Sequence, residues 1–179
     1  MRGCSRKWMG SWVVIVGLTA LVAGCFETET PLGPVEQGVV DKRLVGEWTI
    51  RGEGGAGEGG GDSIDLTVRN FNGREFYVEL REPNRPAVRY AAYVIEVKGA
   101  PFVHLRELTD DGEVATKHLV MRVDRVDDRT INLRNLNEAF FADKPHETTA
   151  QLRAIIEKNL EGPAMYAGEP LVMNRRKAE

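Results

Sequence analysis

Cysteine, serine and histidine are scarce in this chain of 179 residues. It has two cysteines, Cys4 and Cys25, and three histidines, and beyond residue 24 its one serine is Ser63. No Gly-x-Ser-x-Gly is present. A serine or cysteine nucleophile is therefore not expected, and the chain reads as non-enzymatic. Long apolar runs are missing too. The stretch from Trp12 to Val22 falls short of the roughly 20 residues that cross a bilayer core of about 30 Å. Positive charge is not in excess, with 24 Lys and Arg against 27 Asp and Glu, which argues against nucleic acid as a partner. Gly52 to Asp62 reads GEGGAGEGGGD, rich in glycine but without Gly-Lys-Ser/Thr. Its Glu53, Glu58 and Asp62 would repel phosphate, so a phosphate-binding loop is excluded.

What is present at the amino terminus is a basic region of Arg2, Arg6 and Lys7, the short apolar segment, and then Leu21-Val22-Ala23-Gly24-Cys25. This resembles the lipobox of bacterial lipoproteins. The resemblance implies cleavage after Gly24, so that residues 1–24 are a signal peptide, and lipid attachment at Cys25. Two or three acyl chains on that residue give a stable membrane anchor, where a single myristoyl chain is marginal. Phe26, not Asp, follows the cysteine, which is similar to the pattern sorted to the outer membrane in enteric-type bacteria. The expected address is a bacterial membrane, facing the periplasm or the exterior. The mature chain would have 155 residues, 21 basic against 27 acidic, and a formal charge of −6. Cys4 leaves with the signal and Cys25 carries lipid, so no disulfide forms within one mature chain.

One domain is expected from that length. Residues 25–43 are read as the lipidated cysteine and a tether, because Glu27 to Asp41, ETETPLGPVEQGVVD, has two prolines, two glycines and almost no periodicity. A segment of this kind, fully extended, would hold the domain tens of ångströms from the bilayer.

From residue 44 the chain alternates short runs rich in Val, Ile, Leu, Phe, Tyr and Thr with polar punctuation, the mark of an antiparallel sheet. The spacing predicts eight strands: 45–51, 63–69, 75–81, 88–97, 102–108, 116–125, 130–136 and 170–175. In the second, Ile64, Leu66 and Val68 share a face; in the third, Phe76, Val78 and Leu80 do. Asp111-Gly112 between two such runs is a strong hairpin signal. At Thr148 the period changes. Thr148-Thr149-Ala150-Gln151 fits a capping box, Leu152, Ile155, Ile156 and Leu160 follow at helical spacing, and Gly162-Pro163 ends the helix. The fold class expected is all-β with one helix, an up-and-down barrel of about eight strands with a C-terminal helix on its wall.

Gly46-Glu47-Trp48, opening the first of these strands, resembles the G-x-W motif of lipocalins, and the order of meander, late helix and final strand is similar over residues 44–176. The resemblance implies a tryptophan closing one end of the barrel beneath a late arginine, here Arg175 or Arg176. A barrel of about eight strands either fills its interior with side chains or holds one small molecule, here expected to be apolar or amphipathic. The chain has no Thr-Asp-Tyr-type turn, and its helix precedes the eighth strand. Tyr90 and Tyr93, in a Tyr-x-x-Tyr spacing, are the candidate pocket residues, although aromatics with a hydroxyl suit an ordinary core as well as a pocket wall. The glycine stretch 52–62 is then a plain flexible loop or a lid over the mouth.

Other chemistry is weak. His104 and His118 lie at nearly equal distances from the Asp111-Gly112 turn and are expected as cross-strand neighbours. Zinc would need a third protein ligand, and Glu107, Asp110 and Glu113 are ill placed for it. Their strand parity is the less apolar one, so a solvated or partly packed pair is expected and no metal or cofactor is predicted. His146 reads as a loop residue. Asp110-Asp111 and Asp127-Asp128 sit in turns, where Asp stabilises the backbone through its own side chain. Phe140-Phe141 is expected to anchor a loop beneath the helix. Two functions compete: a membrane-anchored barrel binding an apolar ligand, and an envelope interaction or structural module whose core is filled. A cavity near the two tyrosines would favour the first; large side chains filling the interior from every strand would favour the second.

Overall fold

The computed structural model describes residues 26–51 and 63–176; the expected signal segment, Cys25 and the glycine stretch 52–62 lie outside them. Among the described residues nine strands form: β1 (Glu27–Thr28), β2 (Gly46–Arg51), β3 (Ser63–Asn70), β4 (Phe76–Arg81), β5 (Val88–Val97), β6 (Ala100–Glu107), β7 (His118–Val126), β8 (Thr130–Leu136) and β9 (Tyr166–Arg175). Two helices, α1 (Glu138–Phe141) and α2 (Thr149–Asn159), lie between β8 and β9. From β2 to β9 each strand pairs antiparallel with the next, and β9 returns to β2 through Trp48 opposite Arg175. The sheet is thus a closed eight-stranded antiparallel barrel of lipocalin-like architecture, with β1 added on β7. Closure removes the free edges that an open sheet would present.

Alternation along each strand sorts the apolar residues into two cores. Inside the barrel lie Trp48, Ile50, Leu66, Val68, Phe76, Val78, Val94, Met121, Val123, Ile131, Leu133 and Met173. Outside the wall, Tyr93, Ile95, Phe102, Val120 and Leu136 pack with Leu152 and Ile156 of α2. The helix begins as its sequence dictates, because Thr148 and Gln151 satisfy each other's backbone in a complete capping box. Only one stripe of α2 is buried, which suits a helix lying on a sheet.

Between Phe26 and Val45 the structure departs from the expected tether. Phe26 and Leu32 are fully buried in the outer core. β1 pairs Thr28 with His118, and the Phe26 N–H donates to the Leu136 carbonyl. Thr149 Oγ1 donates to the Pro31 carbonyl at 2.9 Å, and Arg153 Nη1 to the Leu32 carbonyl at 2.9 Å. The reason is apolar burial without periodicity. Phe26 and Leu32 are isolated in sequence, yet both reach one groove between α2 and the wall, and backbone hydrogen bonds hold the irregular chain in between. Phe26 stacks on Phe141 with ring centroids 4.2 Å apart, so the diphenylalanine does anchor its connection, at a site the amino-terminal segment shares.

The two barrel ends differ. One carries the tight turns between β3 and β4, β5 and β6, and β7 and β8; at the second of these Lys98 and Gly99 both have positive φ, as a two-residue hairpin turn of this hand requires. The opposite end carries the longer connections 82–87 and 108–117 and the helical excursion 137–165.

Candidate ligand-binding site

Trp48 plugs the tight-turn end. It is fully buried and donates its indole N–H to the Leu44 carbonyl at 2.9 Å. The Arg175 guanidinium lies 4.2 Å from the indole ring and donates to three carbonyls: Asp128 at 2.7 Å, Val45 at 3.0 Å and Arg43 at 2.8 Å. A cation over an aromatic face is favourable in itself, and the three acceptors fix its plane. Gly46 has φ +151°, and a Cβ there would collide with Arg175 Nη1. Gly46, Trp48 and Arg175 therefore form one structural unit, a floor. Arg176 faces elsewhere, 3.1 Å from Asp65.

Above this floor the described side chains do not fill the interior. A small void of about 60 Å³ lies among Leu44, Val68, Phe76 and Ile131. Toward the other end a cavity of about 230 Å³ is bounded by apolar side chains from β2 to β9, together with Glu82, Tyr90 and Asn135. It shares Leu80, Glu82 and Val88 with an outer cleft of about 490 Å³ that reaches Glu107 and Asp110. Leu80, Tyr90, Leu105, Leu119 and Leu171 all face inward yet are only partly buried. Side chains that border a void forfeit dispersion contacts on that side.

The two candidate tyrosines separate. Tyr90 lines the cavity, and burial raises its phenol pKa, with Glu107, Glu27 and Glu82 adding to the shift. Tyr93 is on the outside of the barrel, where its hydroxyl donates to the Gly33 carbonyl at 3.3 Å and its ring stacks on His104 at 4.8 Å. Tyr93 is therefore not a pocket residue. Positions three apart in a strand point to opposite faces, so a Tyr-x-x-Tyr spacing in β5 could not serve one cavity. Asn135, which sequence patterning did not single out, lines the cavity with a buried Oδ1 that no donor meets. Its signal was a polar residue at an inward parity in β8, two beyond Leu133.

His104 and His118 are neighbours, ring centroids 5.4 Å apart, on the outer face as parity required. They are not solvated. The amino-terminal segment covers them, and His104 is 0% exposed. Neither His104 ring nitrogen nor His118 Nδ1 has a hydrogen-bond partner. Burial, with the charges of His118 and Arg106, pushes His104 down to about 3; burial and Arg106 push His118 down to about 4. Both are neutral core residues at physiological pH. Among the described residues no group of three or more His, Cys, Asp or Glu side chains comes together as a metal ion would need. His146 contacts the Lys144 carbonyl at 2.7 Å and the Phe26 ring edge. Compared with family models, curated proteins and solved structures, the chain matches none of them.

Proposed function

We propose that this protein is a lipid-anchored envelope protein that carries a small apolar or amphipathic molecule inside its barrel. The observation that supports binding is the cavity of about 230 Å³ at the Tyr90 end. A dry apolar cavity of about 150 Å³ already takes benzene, while drug-sized sites begin near 300 Å³. The ligand is accordingly compact, larger than one aromatic ring and smaller than a typical drug. Glu82, Tyr90 and Asn135 give it a polar end to meet; the remaining wall is hydrocarbon and the Met121 and Met173 thioethers.

The anchor rests on Val22-Ala23-Gly24-Cys25. Because Phe26 is held in the wall by its own N–H and ring, a lipid on the preceding residue is one Cα step of about 3.8 Å from the barrel. The domain then sits against the membrane surface, not at the end of a spacer. In cells making the full chain, Cys25→Ala abolishes labelling by palmitate and moves the protein from the membrane to the soluble fraction. Unchanged fractionation would remove the anchor from the account.

The test of binding is native mass spectrometry on residues 26–179 after incubation with envelope extract of the native host. One bound molecule per chain, identified after denaturation, is the expected result. A barrel that emerges bare from the extract would overturn the reading.

A further inference from the structure

Building on a barrel that binds small amphiphiles, we infer that the cavity selects a small amphipathic amine, an apolar body bearing a protonated nitrogen, over the corresponding acid. Two separate observations carry this. The first is charge at the rim. Glu82 lines both the cavity and the outer cleft, and Glu107 stands directly across from Tyr90 in the β5–β6 register. Among the described residues no Lys or Arg lines the cavity. The nearby cations are already engaged: Arg85 lies 2.9 Å from Glu82, Arg89 reaches Glu79 at 3.5 Å, and Lys117 is 3.9 Å from Glu27. Glu107 and Asp110 extend the carboxylate rim into the cleft, whose wall also holds Arg85 and Arg89, so that of its three acidic side chains Glu82 is paired and Glu107 and Asp110 stand against these two cations.

The second observation is the buried Asn135 Oδ1 inside the cavity wall without a donor. A buried acceptor left unmade is costly, and a ligand bearing N–H groups relieves it. An ammonium brings donors and positive charge together. A carboxylate brings neither, and would add an acceptor beside carboxylates. An alkylamine, like the Lys side chain, remains protonated at neutral pH. Its charge can stay at the cavity mouth, where Glu82 lines both cavity and cleft and Asn135 is within the same lining, while its chain enters the hydrocarbon part, so that no ion is stranded in the core.

Displacement of the neutral dye N-phenyl-1-naphthylamine by octylamine, octanol and octanoate separates the possibilities. Octylamine is expected to displace it at a concentration at least tenfold below that of octanoate in low salt, with the gap narrowing in 0.5 M salt. In Glu82→Gln/Glu107→Gln the gap should fall severalfold while octanol is unaffected, and Asn135→Leu should weaken octylamine more than octanol. Equal or better displacement by octanoate, an unchanged gap in the double variant, or dye displaced by none of the three would overturn the amine preference and leave the hollow barrel standing. Failure of the dye itself to bind would instead overturn the binding reading on which the preference rests.

Discussion

On acidification the protein should begin to lose stability near pH 6.5, well before its carboxylates protonate. His104 and His118 are neutral and buried in the fold, titrating at about 3 and about 4, and in the unfolded chain they titrate near the ordinary 6.5. Between those limits the unfolded state binds more protons than the native one. Stability therefore rises with pH across the window and falls as pH drops through it, by up to about 1.4 kcal/mol per pH unit for each histidine. Asp41 and Glu79, whose carboxyls are held low by hydrogen bonds from Arg43 and from Tyr77 and Arg81, lose their pairing only below the usual carboxylate range. They do not contribute between pH 6.5 and 5. In His104→Phe/His118→Leu, urea unfolding at pH 7.5 should lie within about 1 kcal/mol of the parent, because partnerless ring nitrogens leave the core along with the imidazoles. At pH 4.5 the double variant should be the more stable by about 3–5 kcal/mol, a large part of a typical domain's total. Parallel losses in both proteins would show that the pair is not the acid-sensitive element.

The floor of the barrel is the other place where one substitution has a large effect. Trp48→Ala should cost about 3–5 kcal/mol, since it removes the largest fully buried side chain among the described residues and opens a cavity between β2 and β9. For a domain of this size that lowers Tm by about 10 °C or more. Trp48→Phe keeps most of the ring packing but leaves the Leu44 carbonyl without its 2.9 Å partner, so about 1 kcal/mol is expected beyond the loss of size. Arg175→Lys should fall between the two. A single ammonium cannot serve the Asp128, Val45 and Arg43 carbonyls while lying flat on the indole. Thermal melts of the three variants check the order; an Arg175→Lys protein as stable as the parent would mean that the guanidinium over Trp48 is ornamental.

The strands were legible because period-two alternation and turn chemistry are local. The expected spans from 45–51 to 130–136 agree with β2 to β8 to within about two residues at most ends, and the helix starts at its capping box. The last strand begins at Tyr166, four residues before the expected Pro170, since Gly168 and Pro170 hide a strand that bends at a register shift in the pairing of β8 with β9. The amino-terminal segment was not legible. Its prolines and glycines are those of a spacer, and only the tertiary groove beside α2 makes Phe26 and Leu32 core residues. The same cover turned the outer-face histidines from a half-solvated pair into buried ones. Hollowness was equally hidden, for inward Leu119 and Leu171 read alike whether they touch one another or line a void.

The central claim is that the space at the Tyr90 end is a binding site. It is tested most directly by titrating N-phenyl-1-naphthylamine into the parent and into Leu119→Trp, which projects an indole into the cavity from β7. The account predicts a saturable, one-to-one fluorescence rise in the parent that is lost in the variant, while Tm stays the same or increases as the void fills. Saturable binding of equal strength in the two proteins, or none in the parent, would contradict it.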